Sequence, residues 1–214
     1  MMALPSHTYA VQGGGIDVSH YQGLINWRMA STDDQVKFVY VKATESNTLV
    51  DDFLWKNIVG ARKMGIPVGV YHFFSPETSV FTQMKNFTDN VDMRKLDLIP
   101  IVDVEKCGKQ SLSTFQDHLR MFLQQMEYVV GVKPIIYTGV NFYNQYLAGC
   151  FKDYPFMIAR YNEEEPPTLS DNPTILLWQY TCEGKVCGIN GHVDCSRFLD
   201  NFGLSDILLP RRSK

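Results

Sequence analysis

Short apolar runs alternate with longer segments of helical period along most of this chain. The runs are rich in β-branched and aromatic residues, and they occupy residues 14–21, 37–45, 67–74, 98–105, 133–139, 155–161, 174–181 and 192–198. Near-continuous apolar runs of this kind predict parallel strands that are buried on both faces. Helical periods over 50–65, 78–94 and 111–131 fall between the earlier strands. Strand–helix alternation is typical of a parallel α/β fold.

About eight strands in such an alternation favour a barrel. The connections over 161–174 and 181–192 read as a loop and a hairpin, so we expect an irregular (β/α), TIM-like barrel whose last third lacks helices. An open, doubly wound sheet is the alternative. Against it, the glycines at 13–15 precede the first strand, whereas a phosphate-binding loop would follow it. We expect one barrel domain over 15–210, preceded by a flexible N-terminal extension over 1–14.

Two helices carry detailed predictions. The 111–131 helix is expected to begin with a capping box formed by Ser113 and Gln116. The 50–65 helix is expected to bury one apolar side, and its members are Phe53, Asn57, Ala61 and Met64, broadened by Trp55 and Ile58.

Charge and hydropathy exclude some classes of function. The net charge of −3 gives no electrostatic reason to expect a nucleic acid partner. No apolar run approaches the roughly 18 residues that a membrane span needs. The first fifteen residues lack the charged and apolar regions of a signal peptide, so a trimmed secreted chain and a cytosolic one both remain open.

The five cysteines leave at least one thiol unpaired within a monomer. Cys182, Cys187, His192 and Cys195 could be read as a zinc cluster, but their spacing matches no usual structural zinc pattern, and we expect no metal. A hairpin with its loop at 183–186 would instead place Cys182 opposite Cys187. We therefore predict a disulfide between them, which would favour an extracytoplasmic location.

The run "LIPIVDVE" ends in two carboxylates, Asp103 and Glu105, which the pleat points to the same side. An ionised carboxylate is costly to desolvate, so an apolar strand normally avoids such a pair. Asp17 and Asp194 also lie in or after proposed strands. Because the carboxyl ends of parallel strands meet at one face of a barrel, we expect all four acids to surround one mouth.

Clustered carboxylates repel one another, so at least one pKa should rise. A protonated acid beside an ionised one is the combination that glycoside hydrolysis needs. Aromatic rings at the same strand ends suit the faces of sugars. The side chains expected to bind substrate are Tyr71, His72, Tyr137, Arg160, Tyr161 and Gln179.

Several motifs resemble the glycoside hydrolase family 25 lysozymes. "GIDVSHYQG" at 15–23 is similar to the opening motif of that family, and the others follow in the family's order: "FVYVKATE", "GVYHFF", "PIVDVE", "IIYTG", "IARY", "LWQYT" and "GHVDCSRF". The resemblance covers residues 15–200. It implies an N-acetylmuramidase on a flattened, irregular barrel, acting on the bond between N-acetylmuramic acid and N-acetylglucosamine in peptidoglycan. No cofactor is implied.

The resemblance also implies a role for each acid. Glu105 resembles the general acid and Asp103 the group that stabilises the transition state, while Asp17 and Asp194 resemble the other acids of the cleft floor. Retention of configuration is implied, by attack of a carboxylate or of the substrate's own acetamido group. We expect a monomer that works outside the cell or in the cell envelope, with peptidoglycan glycan strands as its partner.

Two other functions remain open. The first is a metal-assisted barrel hydrolase whose ligands would be Asp17, Asp103, Glu105, Asp194 and His72. No spacing of the zinc-hydrolase type supports it. The second is a module that binds peptidoglycan without cleaving it. The paired acids at 103 and 105 argue against that, because a pure binder has no need of an acid with a raised pKa.

Overall fold

The structure is a computed structural model, and it describes residues 14–199 and 201–210. Nine strands form one sheet that closes on itself through pairing of its first and second strands. The strands are β1 Gly15–Val18, β2 Phe38–Glu45, β3 Leu49–Val50, β4 Val68–Phe73, β5 Ile101–Asp103, β6 Ile135–Gly139, β7 Phe156–Ala159, β8 Ile175–Gly184 and β9 Val193–Phe198. The predicted TIM-like α/β barrel is confirmed, and closure excludes the open doubly wound sheet.

Helices lie on the outside of the barrel and thin out along the chain. The α-helices are α1 Trp27–Ala30, α2 Leu54–Lys63, α3 Val80–Asn90, α4 Leu112–Val130 and α5 Val140–Phe142, the last continuing as a π-helical turn, Tyr143–Leu147. Short 3-10 helices occupy His20–Gln22, Met93–Lys95 and Leu204–Ile207. In the described part of the chain no α-helix follows β7, as the short polar connections of the last third predict.

Strand direction departs from the prediction at the end of the chain. Strands β1, β2 and β4 to β8 run parallel, but β9 is antiparallel to both of its neighbours, β8 and β1. The first residues of β9 therefore reach the face where the parallel strands end. Asp194, the second residue of β9, pairs with Asp17 of β1. Its place at the mouth was predicted from strands that all run parallel, which is wrong for β9. The hairpin predicted over 181–192 implies the antiparallel direction that the structure shows.

Alternation along the strands divides the core into two layers. Inward side chains such as Phe38, Tyr40, Ile101 and Met157 fill the barrel interior, and outward ones pack beneath the helices. The helix α4 contributes most to the outer layer, and its buried side chains are Phe115, Leu119, Phe122, Leu123, Met126 and Val130. Both faces of the strands are thus buried, which explains their continuous apolar runs.

Two helix predictions need correction. Ser111 caps α4, its hydroxyl accepting from the backbone N–H of Thr114 at 3.2 Å, so the capping box at Ser113 and Gln116 is wrong by two residues. Helix α2 buries Asn57, Ile58 and Ala61 together with Leu54, but Trp55 and Met64 point outward, with 38% and 40% of their surface exposed. Trp55 instead lies beneath the Lys95 ammonium, 4.9 Å from its ring centre.

The predicted Cys182–Cys187 pair is also wrong. Strand β8 continues to Gly184, so Cys182 faces β9, while Cys187 lies in the connection and donates its backbone N–H to Asp33 Oδ2. Gly184 is not a turn residue: its missing side chain leaves room for the Cys195 thiol, which a Cβ would overlap. All five cysteines are free thiols in the structure.

The predicted extension over 1–14 lies almost entirely outside the described residues, so the domain boundary stays a prediction. None of the helices in the described ranges is both long and apolar enough to cross a membrane.

Candidate active site

Two adjoining cavities open at the face where the parallel strands end. The first, here called the acid cavity, has a volume of about 380 Å³ and is lined by Asp17, Asp103, Glu105 and Asp194 together with aromatic and cationic side chains. The second, here called the rim cavity, has a volume of about 560 Å³ and is lined by the ends of β6 and β7 and the start of α5. The four predicted acids therefore share one cavity.

Asp17 and Asp194 are direct neighbours across the β1–β9 pair. Like charges placed opposite each other on a sheet repel, and both side chains are partly withdrawn from water. Burial, followed by the Asp194 charge, raises the pKa of Asp17 well above its usual value. Burial, followed by the Glu105 charge, raises the pKa of Asp194 to about 6. At neutral pH this pair resists carrying two full charges.

Asp103 is the last residue of β5, and it points into the barrel with 7% of its surface exposed. Burial raises its pKa well above the usual value, and the charges of Glu105 and Asp17 add to the effect, while Lys42 opposes it. Its Oδ1 atom is buried and has no hydrogen-bond partner among the described residues. A buried polar atom without a partner is rare, and Asp103 is also one of the residues that line the acid cavity.

Glu105 lies two residues beyond Asp103, after the strand has ended, and its side chain is exposed. It lines both the acid cavity and the rim cavity. Tyr137 and Tyr161 also line both cavities. A molecule that occupies both cavities must therefore pass Glu105, with the other three acids on one side of it only.

Gln179 was predicted to bind substrate, but its polar atoms are already occupied. Its side-chain amide donates to both carboxylate oxygens of Asp17 at 3.1 Å. Its carbonyl accepts from the hydroxyls of Tyr137 at 2.8 Å and Tyr161 at 3.3 Å. Gln179 lines the acid cavity and is 1% exposed, so the structure makes it the link that orients one acid and two aromatic rings.

His72 is not in the cleft. It is fully buried on the outer face of β4, where it stacks on Phe122 with ring centres 4.8 Å apart. Tyr71, its neighbour in sequence, lines the acid cavity. Adjacent residues of a strand point to opposite faces, so the pair could not both reach the mouth. The prediction of His72 as a substrate-binding residue or metal ligand is wrong for this reason.

Arg160 follows β7 and lines the rim cavity rather than the acid cavity. Its guanidinium donates to the Pro166 carbonyl at 3.0 Å and to Glu165 Oε2 at 2.6 Å. The charge is therefore paired within the chain. Tyr161 beside it is 59% exposed and available to a ligand.

Comparison with known proteins identifies the family. The sequence model described as "Glycosyl hydrolases family 25" matches residues 16–189. The protein belongs to this family.

Relatives agree along nearly the whole chain. The YegX protein of Escherichia coli K12 is 38% identical over 188 residues, which cover 86% of this chain and 68% of YegX. "Lysozyme M1" of Streptomyces globisporus is 32% identical over 207 residues, covering 91% of this chain and 69% of that protein. A family 25 glycosyl hydrolase from Bacillus anthracis has the same fold, with a TM-score of 0.82 and 30% identity, and the match covers 91% and 92% of the two chains. The chain is therefore a glycosidase of family 25.

Sequence reasoning gave no role to several side chains that line the acid cavity. These are Tyr21, which is 81% exposed, and Lys42, Glu45, Phe73, Lys106 and Met157. Strand parity could have found some of them: Lys42 is two residues after the inward Tyr40, and Phe73 is two after Tyr71. Tyr21 depends on a turn that sequence did not reveal. In that turn Ser19 caps residues 20–22, and His20 Nδ1 lies 2.7 Å from Asp51 Oδ2.

Proposed function

We propose that this glycosidase is an N-acetylmuramidase that cleaves the β-1,4 bond between N-acetylmuramic acid and N-acetylglucosamine in bacterial peptidoglycan. The observation that carries the proposal is the position of Glu105 at the junction of two cavities, with three acids of raised pKa on one side only. A glycosidic bond held across that junction has its oxygen beside Glu105. The relatives named as lysozymes support peptidoglycan as the substrate.

In this proposal Glu105 acts as the general acid and protonates the leaving oxygen. The sugar in the acid cavity then develops positive charge at its anomeric carbon, next to Asp103. In the resting site, burial and mutual repulsion keep the floor acids from carrying their full charge. A developing cation favours their ionised forms. The stabilisation therefore grows toward the transition state, which is what lowers the barrier.

We further propose that the configuration at the anomeric carbon is retained. The Asp103 carboxylate, which lines the acid cavity, would accept the N–H of the substrate's 2-acetamido group, whose own oxygen attacks the anomeric carbon as the bond to the protonated leaving oxygen breaks. A water deprotonated by Glu105 then attacks the same carbon, opens the resulting ring, and restores the acid. The measurement is proton NMR of the first product formed. A β-anomer supports retention, and an α-anomer would mean that Asp17 holds an attacking water instead.

Two alternatives are distinguished by simple controls. Among the described residues no group of three or more His, Cys, Asp or Glu side chains is arranged to hold a metal ion, and His72 faces away from the four acids. Full activity after dialysis against a chelator would reject metal assistance. A protein that binds peptidoglycan but releases no reducing ends would be the non-catalytic module.

The decisive experiment is digestion of purified peptidoglycan followed by borohydride reduction and mass analysis. We expect reduced N-acetylmuramic acid at the new chain ends. Reduced N-acetylglucosamine would identify a glucosaminidase, and no new ends would reject the activity. An extracellular or cell-envelope location follows from this substrate, and growth-medium against cell-lysate fractionation tests it.

A further inference from the structure

Lys106 places a cation at the edge of the acid cavity. It directly follows Glu105, and its side chain is exposed and lines that cavity but not the rim cavity. Its ammonium lies 5.0 Å from the centre of the Phe73 ring. Phe73 is the strand partner of Asp103. The ammonium therefore sits on the Asp103 side of the general acid.

The other cations of the two cavities are already paired. Lys42 is 2.6 Å from Glu45 Oε2, and Arg160 is 2.6 Å from Glu165 Oε2. Lys106 has no carboxylate partner among the described residues, although it borders a cavity that contains four acids. Its contact is the face of an aromatic ring, which leaves its N–H donors free toward the cavity.

We propose that Lys106 binds a carboxylate of the substrate, either the lactyl carboxylate on O3 of N-acetylmuramic acid or a carboxylate of the stem peptide attached there. The inference rests on the proposed function. A muramidase must hold the muramic sugar on the side of the bond where positive charge develops, which is the acid cavity. N-acetylglucosamine lacks the lactyl group. A cation at that cavity, and not at the rim cavity, therefore selects which sugar enters it.

The Lys106 ammonium also offsets the repulsion between the four acids and an anionic group of the substrate. An anionic substrate group that approaches four acids is repelled, and the repulsion is strong where solvent is partly excluded. One unpaired ammonium at the edge of the cavity gives that group a local partner. Lys106 is thus a specificity residue for the side of the cleft, separate from the acids that carry out the reaction.

The test compares three substrates and three variants. The substrates are intact peptidoglycan, glycan strands freed of stem peptides so that the lactyl carboxylates are exposed, and the same strands with those carboxylates capped as methylamides. The variants are Lys106→Gln, Lys106→Arg and the matched control Lys109→Gln. Lys109 is an exposed lysine three residues on, and it lines neither cavity.

We expect Lys106→Gln to lower kcat/KM about tenfold on strands with free lactyl groups, mainly through KM, as for a lost charge-assisted hydrogen bond. On the capped strands the loss should stay below about twofold. Lys106→Arg should retain most of the activity, and Lys109→Gln should match the wild type on all three substrates. A loss confined to intact peptidoglycan also supports the proposal and assigns the ligand to the stem peptide.

Two results would overturn it. Equal losses on charged and capped strands would mean that Lys106 acts on the acids rather than on the substrate. No loss on any substrate would mean that it makes no contact. Failure of the wild-type protein to cleave any of the three would instead reject the proposed function, so the two failures are distinguishable.

Discussion

His72 and Asp103 are both buried titratable groups on neighbouring strands, β4 and β5, but they lie on opposite faces of the barrel wall. On the outer face, His72 Nε2 lies 3.3 Å from Gln83 Oε1 and Nδ1 lies 2.8 Å from the Thr44 hydroxyl. On the inner face, Asp103 has an oxygen without a described partner. One group is fully bonded in its neutral form, and the other is left partly unbonded beside a cavity.

Burial therefore has different consequences for the two residues: the His72 network stabilises the fold, and the Asp103 carboxyl does not. Gln83 donates its amide to the carbonyls of Ser75 and Thr78, so its oxygen must accept, and His72 Nε2 carries the proton. The Thr44 hydroxyl then donates to Nδ1, and neutral His72 has every bond it can make. Such a network fixes β4 against α3. The unbonded oxygen of Asp103 lowers stability, and a ligand can remove that cost by bonding to it.

The two faces also respond to pH with opposite signs. Burial lowers the pKa of His72 to about 4 from an ordinary 6.5, so the unfolded chain takes up a proton first, and stability is lost as pH falls from 6.5 toward 4. Asp103 has a raised pKa in the folded protein. The stability that Asp103 contributes is therefore fully present below pH 3.8, its ordinary pKa, and is lost as pH rises toward the pKa of the folded state.

The largest effect is expected at the mouth of the inner face. Glu105→Gln should reduce kcat/KM on peptidoglycan at least about 100-fold, because the proposed general acid is removed. The melting temperature should stay within about a degree of the wild type, since an exposed side chain contributes little to stability. Activity and calorimetry on the same preparation test both parts. Near-normal cleavage by this variant would remove Glu105 from the proposed mechanism.

The next largest effect is expected for a substitution of Asp103, which should lower activity but raise stability. Asp103→Asn should lower kcat about 100-fold, since the charge that we propose stabilises the transition state is lost. At pH 7 the same change should raise the free energy of unfolding by about 1–3 kcal/mol, because a buried, incompletely bonded carboxylate is replaced by a neutral amide. Denaturant titrations of both proteins between pH 4 and 8 measure the difference.

The gain in Asp103→Asn should shrink as pH falls and should approach zero only below 3.8, the ordinary pKa, where the wild-type acid is protonated in both the folded and the unfolded state. Asp117→Asn, on the outward side of α4, is the matched control and should show no such trend. A folded Asp103→Asn that is less stable than the wild type at pH 7 would contradict the contrast between the two faces.

The outer face predicts the reverse pattern. His72→Phe keeps a ring on Phe122 but removes two hydrogen bonds, and it should lower the free energy of unfolding at pH 7 by about 1–3 kcal/mol. Below pH 6.5 the stability difference between the variant and the wild type should become smaller. Only the wild type loses stability there, because its buried imidazole stays neutral while the unfolded chain binds a proton. The kcat of the folded variant should equal that of the wild type. A tenfold loss of kcat would return His72 to the active site.

The sequence predicted a site residue correctly only where it also indicated which face of the strand the side chain lies on. Asp103 and Glu105 were predicted because two carboxylates at the end of an apolar run have few structural explanations. Asp17 and Asp194 were predicted because strand ends meet at one face of a barrel and because both fall on motifs that resemble family 25. His72 was misplaced because both faces of the run "GVYHFF" are buried. The amino-acid types in such a run do not show which side chains point into the barrel. The partners of Gln179 lie on β1, on β6 and in the segment after β7, so only closure of the barrel brings them together.

The smallest effect tests whether the outer network is cooperative. Thr44→Val removes the hydroxyl that donates to His72 Nδ1 and should cost about 1 kcal/mol, since a buried acceptor loses its partner. In the His72→Phe background the Thr44 hydroxyl has no such acceptor, so the same substitution should be neutral or slightly stabilising. The double-mutant cycle should therefore give a coupling energy of about 1 kcal/mol, typical of residues in direct contact. Strict additivity would mean that the 2.8 Å contact between Thr44 and His72 contributes nothing to stability, and that the outer face is no better satisfied than the inner one.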